Sequence, residues 1–390
     1  MIIVGIDIAK RNHEATVIDE SGKTLGRLSF ANSNSGAEKL LSFIEQNNSD
    51  NDMVVFGMEA TGHYWLSLYS FLIERDFTVY VINPIQSDGL RNLYIRKSKN
   101  DLKDSFIIAE IIRFGRFTDT QLADENTLAL KQLCRYRSYL VDQVAELKLK
   151  SIAILDQIFP EYEKLFSDIF GTSSKSLLLE YTTPEELLTI STEHLAQFLA
   201  KCSRGRFNLE KAQQIQDAAK NTFGIKIACE AFSFQLKQII EQIQFLENHI
   251  KELENQIDVY FKPLDSHLTS IPGIGVVLAA TIESEIGDIN RFSSPEKLVA
   301  FAGLDPTVKQ SGEFNGTRNR MSKRGSPYLR RAIWQAAICS LQYNPVLKEF
   351  YDKKRLEGKA HGTAVGAVAR KLTYVIFAIM RDKTDYVAMD

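Results

Sequence analysis

The heptad between residues 236 and 260 constrains this chain more than any other stretch. Leu236, Ile239, Ile243, Leu246, Ile250, Leu253, Ile257 and Tyr260 recur at alternating spacings of three and four. With Leu236 at position a, the a positions read Leu, Ile, Ile, Ile and the d positions Ile, Leu, Leu, Tyr. Such a stripe is a coiled-coil seam, and mostly Ile at a with Leu at d favours a parallel two-stranded coil, hence a homodimer. A heptad does not name its partner, however. An intramolecular hairpin against residues 133–158, which also read as a long helix, satisfies the same stripe.

The rest of the chain divides around this coil. Residues 1–158 read as one domain, 159–262 as a helical linker and coil, and 263–390 as a small helical domain beginning where Pro263 ends the coil. With 390 residues, 44% hydrophobic and 25% charged, the chain is long and apolar enough to bury a core without staples. Net charge is only −2, but it is unevenly spread: residues 263–390 carry 18 basic and 13 acidic residues, the remainder 29 and 36. A basic C-terminal part on an acidic remainder hints at a nucleic-acid partner.

The N-terminus lacks a basic stretch followed by a long apolar run, so no secretory signal is expected. No uncharged apolar run approaches 18 residues, so no membrane span is expected either. Cys134, Cys202, Cys229 and Cys339 lie far apart without a CxxC pair. They read as buried free thiols in a reducing cytoplasm.

In the first domain, residues 2–8, 14–19 and 24–30 form an expected meander with Ser21-Gly22 at a turn. Helices are expected over 36–46, over 63–74 and from Asp101, with strands over 53–58 and 78–82. The order β-β-β-α-β-α-β-α gives a mixed sheet, antiparallel first and parallel later. RNase H-like nucleases and actin-like ATPases share it.

The carboxylates favour the nuclease. Asp7 lies inside an otherwise apolar strand, Glu59 follows the fourth strand, and Asp101 and Asp104 share one face at a helix start. An unpaired acid in a buried strand is costly. Four acids converging at a sheet edge repel one another unless a divalent cation, Mg²⁺ or Mn²⁺, neutralises them. Two such ions can clamp the attacking and leaving oxygens of a phosphodiester. A kinase-type phosphate loop would turn on small residues, whereas here the turn is Ala9-Lys10-Arg11-Asn12. The six histidines, at 13, 63, 194, 249, 267 and 361, show no metal-ligand spacing.

In the last domain, Ile271-Pro272-Gly273-Ile274-Gly275 leads into a helix. This resembles the helix-hairpin-helix turn, in which backbone N–H groups near Gly273 and Gly275 grip a phosphate. The segment 309–331 holds Lys309, Arg318, Arg320, Lys323, Arg324, Arg330 and Arg331 against Glu313 alone, and reads as a phosphate-tracking loop. Ser311 sits within it beside Gly312. A serine among cations can attack phosphorus, but composition alone makes it an ordinary loop serine.

Taken in order, these segments resemble the insertion sequence 110 type of DEDD transposases, which includes the pilin-gene DNA invertases. The resemblance rests on Gly5-Ile6-Asp7, Glu59-Ala60-Thr61-Gly62-His63-Tyr64-Trp65, Asn83-Pro84 and Lys99-Asn100-Asp101-Leu102-Lys103-Asp104-Ser105. It continues through Ile271-Pro272-Gly273-Ile274-Gly275, Ala302-Gly303-Leu304-Asp305-Pro306, Gln310-Ser311-Gly312 and Ser322-Lys323-Arg324-Gly325 with Leu329-Arg330. Two departures stand out: Asn100 where the family usually has Thr, and Ser105 where it usually has Ala.

The resemblance implies a RuvC-like nuclease domain, a coiled-coil insertion and a C-terminal transposase domain. Asp7, Glu59, Asp101 and Asp104 would then be the metal ligands and Ser311 the nucleophile. It further implies a noncoding bridge RNA that pairs with donor and target double-stranded DNA, a covalent phosphoserine, two dimers forming a synaptic tetramer, and a bacterial or archaeal nucleoid setting. The alternatives are a hydrolytic RuvC-type nuclease or junction resolvase using water, an actin-like ATP-dependent kinase, and a nucleic-acid-binding protein whose acids are structural.

Overall fold

A computed structural model describes residues 1–48, 52–59, 62–82, 101–115, 124–306, 310–311, 314–315 and 320–388. The chain forms two compact units, Met1–Leu122 and Ala123–Asp390.

The first unit is built on a five-stranded mixed sheet. Its strands are β1 (Ile2–Asp7), β2 (Asn12–Asp19), β3 (Thr24–Ala31), β4 (Val54–Glu59) and β5 (Thr78–Ile82), in spatial order β3-β2-β1-β4-β5. β1–β2 and β2–β3 pair antiparallel; β1–β4 and β4–β5 pair parallel. This is the mixed sheet expected from the sequence.

Alternation decides which residues each face presents. Val4, Ile6, Phe56 and Met58 point into a core shared with α1 (Asn34–Gln46) and α2 (Trp65–Ile73). Ile3 and Val55 point the other way, into a core covered by α3 (Asp101–Phe114) through Ile107, Ile108, Ile111 and Ile112. α1 starts where the Ser33 hydroxyl accepts from the Gly36 N–H at 3.2 Å, an N-cap.

The second unit is helical. α4 (Glu125–Ile158) is followed by four short helices, α5 (Thr172–Glu180), α6 (Pro184–Leu188), α7 (Thr192–Ser203) and α8 (Leu209–Lys220), and then by α9 (Cys229–Phe261). The short helices bury Leu177, Leu187, Leu195, Leu199 and Ile215 against one end of the α4–α9 pair. α10 (Val276–Ile286), α11 (Pro295–Ala302), α12 (Pro327–Tyr343), α13 (Pro345–Leu356) and α14 (His361–Asp382) form a second core at its other end.

α4 and α9 run antiparallel. The Asn126 side chain donates to the Tyr260 carbonyl at 2.9 Å, Arg137 to Glu254 at 2.8 Å, and the Ile225 N–H to the Gln157 carbonyl at 2.8 Å. Leu236, Ile239, Ile243, Leu253 and Ile257 are buried in this hairpin. The expectation of a parallel dimer through the seam is therefore corrected. The stripe is spent within one chain, because α4 supplies the apolar face that the heptad requires.

α14 alone among the described helices is long and apolar enough to cross a membrane. Half of its apolar window is buried, Val365, Val368, Leu372 and Ile376 lie in the second core, and Arg370 and Lys371 interrupt it. That is how a core helix reads.

Candidate active site

The sheet brings the acids to one edge. Gly5 and Asp7 share the Ile3 face of β1, and Gly57 and Glu59 share the Val55 face of β4, so all four residues face the side that α3 covers. α3 can lie there because two glycines give it room. A Cβ on Gly5 would stand 2.2 Å from the Ser105 carbonyl oxygen and 2.3 Å from the Ala109 nitrogen; one on Gly57 would stand 2.6 Å from an Ile112 side-chain carbon.

The direction of α3 follows from its far end. Glu110 and Arg113 reach Gly22, in the β2–β3 turn beside the start of β1. The first turn of α3, with Asp101 and Asp104, thus lies toward the end of β1 and β4 where Asp7 and Glu59 stand. Glu59 is buried, and Asp7 and Asp104 are half-buried. Ser105 is buried, and its hydroxyl shares a 2.7 Å hydrogen bond with that of Thr16 on β2. The departure from Ala therefore adds a tie between α3 and the sheet.

The donor set suits a hard divalent cation: Asp7, Glu59 and Asp104 offer only carboxylate oxygens. Among the described residues, no three Asp, Glu, His or Cys side chains stand together as a ready-formed ion site. The side chain of Asp101 lies outside the described residues. His63, the histidine nearest in sequence to Glu59, is exposed and packs on the Tyr64 ring at 4.2 Å.

In the second unit, two chain segments are locked side by side. The Ser322 N–H donates to the Asp305 carbonyl at 2.8 Å, Lys323 to Gly303 at 3.1 Å and Ser326 to Phe301 at 3.0 Å. Pro306 and Met321 form an antiparallel bridge, and the Ser322 hydroxyl donates to the Asp305 carboxylate. Gly303 has φ +66°, and a Cβ there would stand 2.1 Å from the Arg324 carbonyl oxygen. No larger residue fits that approach.

From this base the chain leaves at Pro306 and returns at Met321. Between them Gln310–Ser311 pairs antiparallel with Phe314–Asn315, Ser311 opposite Phe314. The side chain of Ser311, with Lys309 and Arg318, lies outside the described residues. Arg320, Lys323 and Arg324 are exposed, and Arg330 donates to the Ala302 carbonyl at 3.3 Å.

The two glycines of the 271–275 turn differ. Gly273, at φ +99°, packs against the α12 backbone, where a Cβ would stand 2.6 Å from the Ser340 nitrogen. Gly275 is exposed with open space beside it, and caps α10 with no side-chain hydrogen bond. The start of α10 therefore presents uncapped N–H groups.

Comparison with known proteins places these motifs. Residues 4–160 match the family of DEDD transposases of the IS110 type, described as Transposase. Residues 265–352 match the family described as Transposase IS116/IS110/IS902 family. The chain belongs to the IS110 family of transposases.

This IS110-family transposase is 26% identical over 386 residues to an uncharacterized 44.8 kDa protein of insertion element IS116 from Streptomyces clavuligerus, covering 98% of this chain and 95% of that protein. It is 26% identical over 387 residues to an uncharacterized 42 kDa protein of insertion element IS900 from Mycobacterium paratuberculosis, covering 98% and 96%. A pilin gene-inverting protein of Moraxella bovis is 22% identical over 387 residues, covering 98% and 97%. The transposase is thus an enzyme of DNA strand transfer. The first match contains all four acids, and the second contains Ser311 and the basic segment.

One polar centre of the transposase escaped the sequence reading. Glu285, on α10, is buried among apolar neighbours and receives Arg135 from α4 at 2.6 Å and the Ser326 hydroxyl from the α12 N-cap at 2.8 Å. The hydrogen bond to Glu285 raises the Arg135 pKa above its ordinary value. The available signal was a carboxylate on the apolar face of 276–286, the same signal that singled out Asp7.

Proposed function

We propose that the chain is an RNA-guided DNA recombinase that breaks and rejoins donor and target DNA through a phosphoserine. The observation that supports the nuclease half is the placement of Asp7, Glu59 and Asp104 on one face at one sheet edge, with α3 also carrying Asp101 there. These acids would hold Mg²⁺, or Mn²⁺, which when bound supplies Lewis-acid polarisation of a phosphodiester.

Ser311 supplies the nucleophile. Its Oγ forms a bond to phosphorus as the bond to the 3′-oxygen breaks, and the serine proton ends on that oxygen. The products are a phosphoserine on the 5′ side and a free 3′-hydroxyl. Attack by an exchanged 3′-hydroxyl reverses the step, frees Ser311 and conserves the phosphoester, so no external energy source is required. Lys309, Arg318, Arg320, Lys323, Arg324 and Arg330, with the backbone near Gly273 and Gly275, hold phosphates.

Choice of sequence falls to a bridge RNA pairing with both DNAs, a reading that rests on the family resemblance. Dimers, and a synaptic tetramer, would assemble through surfaces other than the buried heptad seam.

The test is a strand-transfer assay with the element's RNA, its DNA ends, a target and Mg²⁺. Recombinant product should need the RNA, the metal ion and Asp7. Product formed without RNA would remove the guidance step. Product formed by Asp7→Ala would remove the acids from catalysis.

A further inference from the structure

Three cations gather around Glu285, where one would serve to lock the helices. Glu285 is 1% exposed and accepts from Arg135 Nε at 2.6 Å, Arg135 Nη2 at 3.1 Å and Ser326 Oγ at 2.8 Å. That set alone ties α4, α10 and the α12 N-cap together. Yet Lys131, one turn before Arg135, also points its Nζ at Glu285 from 3.9 Å, and its side chain is only 27% exposed. Burial pushes its ammonium below the ordinary lysine range, Glu285 opposing and Arg135 and Arg291 adding to the shift.

Arg291 completes the group. It is exposed, and its guanidinium lies 4.6 Å from the ring centres of both Phe292 and Phe301. Among the described residues no carboxylate lies within ion-pair distance of Arg291, and none but Glu285 lies within that distance of Lys131. Asp288 also acts on Arg291, so three cations face two carboxylates and leave an excess of one positive charge at a partly desolvated position. Mutual repulsion makes such a group unfavourable unless an anion joins it.

We propose that Lys131, Arg135 and Arg291 form a phosphodiester-binding site for the nucleic acid on which the transposase acts, outside the basic segment 309–331. The surroundings fit a polymer better than a free anion. The guanidinium of Arg135 sits 4.8 Å over the Tyr328 ring, and Tyr136 and Tyr139 lie exposed and stacked on the neighbouring face of α4, 6.3 Å apart. Cations interleaved with exposed aromatics make the kind of surface that follows a nucleic-acid strand. Glu285 acts as the positioning residue: it fixes the Arg135 guanidinium through Nε and Nη2 and the start of α12 through Ser326.

The inference rests on the nucleic-acid reading of the family. The phosphodiester can come from DNA or RNA, and the test separates the two. Lys131→Gln/Arg291→Gln removes two of the charges and leaves the Arg135–Glu285–Ser326 contacts in place; a thermal melt verifies folding. Anisotropy of a labelled duplex from the element's end, and of a labelled single-stranded RNA from its noncoding region, is followed across a salt series. For whichever ligand occupies the site, the slope of log Kobs against log salt should become shallower by roughly 1.8 for duplex or 1.4 for a single strand. Unchanged slopes in both arms, while Lys323→Gln/Arg324→Gln does lower them, would overturn the site and leave nucleic-acid binding standing. Failure of the wild type to bind either ligand would overturn both.

Discussion

The Gly5 backbone and the Ser105 carbonyl oxygen are in direct contact, so close that a Cβ on Gly5 would stand 2.2 Å from that oxygen. This contact seats α3 on β1 and carries Asp104 toward the edge that holds Asp7. Gly5→Ala should therefore destabilise the first unit by about 3 kcal/mol or more, since backbone cannot yield to a methyl group. Gly57→Ala meets the Ile112 side chain, which can turn aside, and should cost about 1–2 kcal/mol. Chemical denaturation of the two variants measures the difference; equal midpoints would contradict it.

His13 sets a dependence on pH. It is 1% exposed, and its Nδ1 accepts from the Ala9 N–H at 3.2 Å, so the neutral ring carries its proton on Nε2. Burial lowers its pKa below the ordinary histidine value, and the Asn32 side chain opposes this. Below about pH 6.5 the unfolded chain takes up the proton first. The stabilisation contributed by neutral His13 is full above that pH and is lost as pH falls toward the depressed folded value. The melting temperature should drop more between pH 7.5 and 5.5 in the wild type than in His13→Gln. Parallel curves would contradict the assignment.

The heptad seam should respond as a core does. Ile243 is 0% exposed between α4 and α9. Ile243→Ala should cost about 2–5 kcal/mol. Because the partner is in the same chain, the loss should be independent of protein concentration. A melting temperature that shifts with concentration in the variant alone would show that the seam joins two chains.

Two ion pairs on the same long helix should differ in weight. Arg135–Glu285 buries its carboxylate to 1% exposure, whereas Arg137–Glu254 leaves its side chains 27% and 35% exposed. Removing a partner from a buried, hydrogen-bonded pair costs about 3 kcal/mol, and from a solvated pair below about 1 kcal/mol. Urea denaturation of Glu285→Ala and Glu254→Ala should show that order, and the reverse order would contradict it.

The strands of the first unit were legible because each is short, apolar and bounded by turn residues; Thr78–Ile82 matches its expected span residue for residue. Asp7 was legible as an acid inside an apolar strand, and Glu59 as one just past the end of another. What periodicity could not supply was partnership. The stripe from Leu236 to Tyr260 reads the same whether α4 or a second chain covers it. Glu285 was missed because its partners Arg135 and Ser326 lie 150 and 41 residues away. The role of Ser311 came from family resemblance, since a serine beside glycine has no composition that separates a nucleophile from a loop residue.

The most direct test of the serine mechanism is a denaturing gel of wild type and Ser311→Ala after reaction with labelled DNA ends, target, the element's RNA and Mg²⁺. A covalent protein–DNA adduct should form in the wild type and map to Ser311, vanish in Ser311→Ala, and fail to form in Asp7→Ala. Cleavage that survives Ser311→Ala but not Asp7→Ala would mean that water is the nucleophile, and would contradict the serine mechanism.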